Sequence, residues 1–209
     1  MEHVGGARVV LESKERLKGC DMHGQHLLAY TGKEVFVYKF DDGATNPDRK
    51  ASSPVLLASF EHKCLSGAIY GESLFLSAPG RIECTNFSGS ITATMPFADT
   101  EGTPVAMHTS GSGKLLFLAA GTDKGFVKSW DVSRKEPRQW TAARKLGEVP
   151  SSKVSRIAIS SDGSRLAATL DIQAVPTNSP GTKPKPGAPP PPWTADTRLW
   201  LFNNDSDTC

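Results

Sequence analysis

The sequence predicts an all-β chain, a WD-type β-propeller segment of about four blades. Three observations point there. Apolar β-type runs come in pairs around short Gly- or Pro-containing turns. Amphipathic periodicity of the helical kind, sustained over ~11 residues, is missing almost everywhere. The paired runs also recur at a near-constant spacing, the signature of a repeat architecture.

The pairs are read in chain order. HLLAYTGKEVFVYKF (His26–Phe40) gives two runs around Thr31-Gly32-Lys33. SLFLSAPGRIECTNF (Ser73–Phe87) turns at Pro79-Gly80, and LLFLAAGTDKGFVKSW (Leu115–Trp130) turns at Gly121 to Gly125. RLAATLD (Arg165–Asp171) and TRLWLFNND (Thr197–Asp205) read as the same hairpin pulled apart. Their side chains alternate only loosely, as in strands covered on both faces. A further strand and tight turn precede each pair. The turns are His23-Gly24-Gln25, Gly71-Glu72-Ser73, Ser110 to Gly113 and Ser161 to Ser164. Gly and Asp supply the backbone angles such turns require. Each unit therefore has three strands and a more irregular outermost one. In SRKEPRQW a short helical turn is expected, restricted by Pro137.

The last aromatic residues of the four pairs are Phe40, Phe87, Trp130 and Phe202, separated by 47, 43 and 72 residues. The first two intervals fit the ~40–45 residues of a WD blade. The third becomes 47 when residues 172–196, a stretch of 25 rich in Pro, Gly, Thr and Lys, are set aside as a loop insertion. Repeat units are expected at about 17–45, 60–99, 103–140 and 154–205 within a partial propeller spanning 1–209. Each marker aromatic is followed by a turn residue, and Trp130-Asp131 is the one literal Trp-Asp pair. Trp130 is expected to pack between blades, with Asp131 opening the next turn. Closed propellers typically have 4–8 blades and soluble WD propellers usually about seven, so four blades make an open arc and the chain reads as a piece of a larger propeller. The alternative is a complete small domain with further strands within 1–16 and 44–60.

Composition narrows the function. With 24 Lys and Arg against 22 Asp and Glu, net charge is +2, so no strong attraction to nucleic acid or an anionic membrane is expected. The first ten residues lack the pattern of a signal peptide. No apolar run reaches the ~20 residues of a membrane span. Cys20, Cys64, Cys84 and Cys209 are scattered, which suits free thiols in a reducing compartment.

Enzyme chemistry has little support. There is no G-x-S-x-G, phosphate loop or H-E-x-x-H. Ser110–Lys114 (SGSGK) precedes a strand instead of a helix and reads as a turn. Cys20, His23 and His26 form C-x-x-H-x-x-H, but no fourth ligand is evident and the segment maps to a strand and turn. No catalytic, cofactor or metal site is assigned, and Cys64 and Cys84 read as packing thiols. In the insertion, Lys183, Pro186, Pro189 and Trp193 could present a polyproline II ligand to an aromatic groove; the plainer reading is a solvated low-complexity loop.

From Asn86 to Trp140, the runs SGS, FADTEGTPVAMHTSG and GTDKGFVKSWDVSRKEPRQ, with the later TRLWLF, are more specific. This stretch resembles the second WD propeller of the one-hundred-and-forty-kilodalton subunit of intraflagellar transport complex A. The likeness is strong over 84–145 and looser over Gly19–Phe40 and Val154–Asp205; the Pro-rich insertion departs from it. The resemblance implies a non-catalytic scaffold without cofactor. It would support retrograde transport in cilia and ciliary entry of membrane proteins, at the cilium and its base on the cytoplasmic side. Its partners would be the other complex A subunits and membrane-protein cargo adaptors. The alternative is another coat-like or vesicle-trafficking WD scaffold.

Overall fold

The computed structural model describes residues 15–40, 54–146, 152–173 and 193–203, the last of these as backbone only. All its regular structure is β. Fifteen strands form four antiparallel sheets, each built by neighbours in sequence. The first contains β1 (Gly19–His23), β2 (His26–Tyr30), β3 (Glu34–Lys39) and β4 (Val55–Glu61). The second contains β5 (Gly67–Tyr70), β6 (Ser73–Ala78), β7 (Arg81–Thr85) and β8 (Ile91–Pro96). The third contains β9 (Pro104–Ser112), β10 (Leu115–Thr122), β11 (Phe126–Asp131) and β12 (Arg138–Lys145). The fourth contains β13 (Ser152–Ile159), β14 (Arg165–Gln173) and β15 (Trp193–Asn203).

The repeat is written in the turns. Between first and second strand, every sheet places a glycine at positive φ: Gly24 (57°), Gly71 (58°), Gly113 (63°) and Gly163 (74°). An L side chain is strained there, which is why glycine recurs at this point. Between second and third strand, a threonine hydroxyl closes the turn in two sheets. Thr31 Oγ1 accepts from Lys33 N at 3.1 Å and Glu34 N at 3.0 Å. Thr122 Oγ1 accepts from Lys124 N at 3.3 Å and Phe126 N at 3.1 Å.

The chain divides into two compact units, one holding the first and second sheets, the other the third and fourth. In the first unit the core joins Leu28, Val35 and Val37 to Ile69, Leu74 and Leu76, all essentially without exposure. In the second it joins Phe117, Ala119 and Val127 to Val154, Leu166 and Leu170. Face-to-face burial of two sheets explains why the second strands read as nearly continuous apolar runs. The approach is close enough to dictate residue size: a Cβ on Gly121 would lie 2.3 Å from Val154 Cγ1.

Polar links reinforce each pair of sheets. Asp21 Oδ2 and His23 Nδ1 of β1 accept from Ile69 N at 2.9 Å and Gly71 N at 3.0 Å. His23 also lies against Tyr70, ring centroids 3.9 Å apart. In the second unit His108 Nδ1 accepts from Ile159 N at 3.2 Å.

Three details differ from the sequence reading. The outer strands are irregular as expected, each joining its neighbour with a register shift, but they lengthen the repeats: the first repeat continues through β4 to Glu61 and the third through β12 to Lys145, beyond the expected ends at 45 and 140. No helical turn follows Ser133: the chain from Arg138 joins β11 as a strand, because ladder pairing satisfies its backbone where a short helix containing Pro137 could not. The ladder also runs into both ends of the expected insertion, pairing Ile172 with Thr194 and Gln173 with Trp193. Only the interior of 172–196 lies outside the described residues.

Candidate functional site

The turn after β2 and the segment after β4 meet at one end of the first unit. Between them is a cleft of about 470 Å³ lined by Glu15, Lys33, Glu34, Glu61, His62 and Lys63. His62 N donates to Lys33 O at 2.8 Å, which ties the two segments together. Lys33 pairs with Glu15, whose hydrogen bond and charge hold the ammonium above its ordinary pKa. Glu34 and Glu61 stand directly opposite each other across β3 and β4. Like charges in that relation repel, and Lys33 and Lys63 on the same wall offset them, so the cleft presents mixed charge.

Behind the cleft lies a mostly buried polar network. Glu83 on β7 is nearly inaccessible and accepts at both oxygens, from Arg81 Nε at 2.6 Å and from His62 Nε2 at 2.9 Å. Burial pushes the Glu83 carboxyl up, but the His62 and Arg81 hydrogen bonds and the Arg81 charge outweigh it and hold the pKa below the ordinary glutamate value. His62 Nδ1 is buried and has no hydrogen-bond partner among the described residues.

The second unit contains a bridge in the same position, between a carboxylate and an ammonium. Glu101, in the connection before β9, reaches Lys128 Nζ on β11 at 3.0 Å, and both side chains are largely buried. Its Oε2 also accepts from Ala98 N at 2.9 Å. His62 likewise sits in the connection before β5 and reaches the third strand of its own sheet. A polar link from the entering segment to the third strand is therefore a repeated element. Sequence reading missed it because partners 21 and 27 residues apart form no local motif; their equivalent places before a first strand and within a third were the available signal.

Cys64 adds no nucleophile. Its thiol donates to Ser66 O at 2.8 Å, and burial pushes its pKa up to about 11, so it remains protonated at neutral pH. Among the described residues no group of three or more His, Cys, Asp or Glu is arranged to hold a metal. Cys20 is exposed, His23 is engaged with Gly71, and His26 meets Phe87 edge-on at 5.0 Å. The C-x-x-H-x-x-H spacing is divided by the turn between β1 and β2, which sends its members into different contacts. The described residues of the cleft offer charge and hydrogen bonding.

The sequence markers fall at different depths in the ladders. Trp130 is 2% exposed and pairs with Leu118 inside β11, and Asp131 closes that strand opposite Phe117. The Asp131 carboxylate accepts from Ser133 N at 2.9 Å, in the turn that follows. Phe40 lies just past the last pair of β3, and Phe87 lies in the turn after β7. Phe202 pairs with Leu166 through the β15 backbone. Trp193 begins β15, while Lys183, Pro186 and Pro189 lie outside the described residues.

Solved structures agree on the fold. Kluyveromyces lactis Hsv2 is similar with a TM-score of 0.53 at 13% identity, covering 78% of this chain and 50% of that one. Kluyveromyces marxianus Hsv2 gives 0.51 at 14% identity, covering 83% and 51%. The computationally designed Ika4 protein gives 0.54 at 12% identity, covering 95% and 99%. The chain spans about half the length of the Hsv2 structures it matches. At sequence level the family described as IFT140 second beta-propeller matches residues 5–180. That span includes every described strand of the first three sheets and the first two of the fourth. With its propeller sheets and this match over most of its length, the chain belongs to the family of the second β-propeller of IFT140, a cilium-associated subunit of intraflagellar transport complex A.

Proposed function

We propose that this chain is a non-catalytic scaffold segment within complex A. There it supports retrograde ciliary transport and the ciliary entry of membrane-protein cargo, on the cytoplasmic side at the cilium and its base. The family match over 5–180 carries the reading. The cleft supports it, since mixed lysines and carboxylates without an activated nucleophile suit a polar protein partner. Near-neutral net charge argues for protein partners over nucleic acid.

Affinity purification of the full-length protein from ciliated cells tests this reading. The other complex A subunits are expected in the eluate, together with adaptors for membrane cargo. Vesicle-coat components in their place would overturn it. The Lys183, Pro186, Pro189 and Trp193 pattern is proposed as an accessory peptide contact. Deleting 176–193 should leave complex assembly intact while removing any partner that binds through that stretch.

A further inference from the structure

We propose that β12, the outer edge of the third sheet, takes up an acidic, extended segment of a partner protein as an added strand. β12 pairs with β11 on one side and, among the described residues, with no strand on the other. An open strand edge is a row of backbone donors and acceptors ready for another chain.

Charge distinguishes this edge from its two counterparts. β4 (VLLASFE) and β8 (ITATMP) contain no Lys or Arg; β12 (RQWTAARK) contains Arg138, Arg144 and Lys145 and no acid. Cations on an edge strand commonly guard against unwanted pairing. A guard would be needed first on β4, where Val55, Leu56 and Leu57 are all exposed. The cations instead occupy the less apolar strand, which fits complementarity to an acidic partner better than defence.

Trp140 stands between the cationic ends and is 43% exposed. Its ring packs against Phe117 with centroids 5.2 Å apart. A tryptophan held in place but still accessible is a typical interface anchor. Arg138 faces Asp131 across the ladder, on the side away from the open edge. A basic, aromatic, basic order along one edge matches a strand with carboxylates near both ends and an apolar centre. An anionic membrane would use the charge but not the backbone template, which favours a protein strand.

The inference deepens the scaffold reading and rests on it for the presence of partner proteins. The test titrates the full chain with a fluorescein-labelled ten-residue peptide that has Glu residues at both ends and a centre of Val and Thr. Saturable binding that weakens as salt rises is expected. Arg138→Glu combined with Lys145→Glu should weaken binding about tenfold or more, and Trp140→Ala should also weaken it, in variants whose melting curves show a folded chain. The same peptide N-methylated at alternate residues should not bind, because it can no longer join the ladder. Binding that survives N-methylation or the double charge reversal overturns the proposal, as does capture by phosphatidylserine vesicles without peptide binding. If wild type ignores the peptide yet still recovers complex A subunits, the added-strand proposal falls and the scaffold reading stands.

Discussion

Trp130→Ala should destabilise this chain more than Trp140→Ala, although the two residues occupy neighbouring strands of one sheet. Trp130 is 2% exposed, whereas Trp140 is 43% exposed. A buried tryptophan removes roughly 150–250 Å² from water, worth about 4–6 kcal/mol at ~25 cal/mol per Å². Measured truncations of buried aromatics cost about 3–5 kcal/mol. Trp140 keeps nearly half its surface in water, so its truncation should cost about 2–3 kcal/mol, part of it the contact with Phe117. At this chain length 3–5 kcal/mol corresponds to a fall in Tm of roughly 6–20 °C. Thermal melts of wild type, the two alanine variants and Trp130→Phe under identical conditions provide the assay. Trp130→Phe should recover part of the loss by refilling the site with an apolar ring. An equal or smaller loss for Trp130→Ala than for Trp140→Ala would refute the packing role given to Trp130.

Gly121→Ala should cost about 1–3 kcal/mol, because the new Cβ would lie 2.3 Å from Val154 Cγ1. Adding Val154→Ala should recover part of that cost in urea unfolding, and a harmless single variant would disprove the close approach. Glu83 should contribute to acid sensitivity. Its folded pKa is lowered, so its stabilisation is present above the unfolded glutamate value of about 4.3 and is lost as pH falls through the lower folded value. Urea midpoints of Glu83→Gln should therefore be lower than wild type at neutral pH and flatter between about pH 5 and pH 3; parallel curves would count against the network.

The hairpins were readable because their signals are local. Gly24, Gly71 and Gly163 mark turns that a short window reveals, and the apolar runs of β2, β6, β10 and β14 show sheets covered on both faces. The outer strands were harder. β4 and β12 have one side open, so burial imposes little pattern on them, and Pro137 beside Arg138 suggested a helical turn where a strand forms. Aligning the repeats on aromatic residues found the right interval but mixed ladder positions: Trp130 sits within its strand, Phe40 and Phe87 just beyond theirs. The glycine turns give a truer register, since backbone angle fixes them and side-chain size does not. The candidate cleft was not readable at all. It depends on Glu34 and Glu61 meeting across a ladder and on His62 reaching Glu83, and no sequence window contains those partners together.

The histidine links have a consequence in proton chemistry. His23 and His108 each use Nδ1 as an acceptor for a backbone N–H of the following sheet. The ring must then be neutral with its proton on Nε2, because an imidazolium has no lone pair to offer. Joining the sheets and carrying charge on these rings are mutually exclusive states. Each join thereby selects one tautomer of its histidine, and the nitrogen resonances of the two rings report directly on whether neighbouring sheets remain fastened.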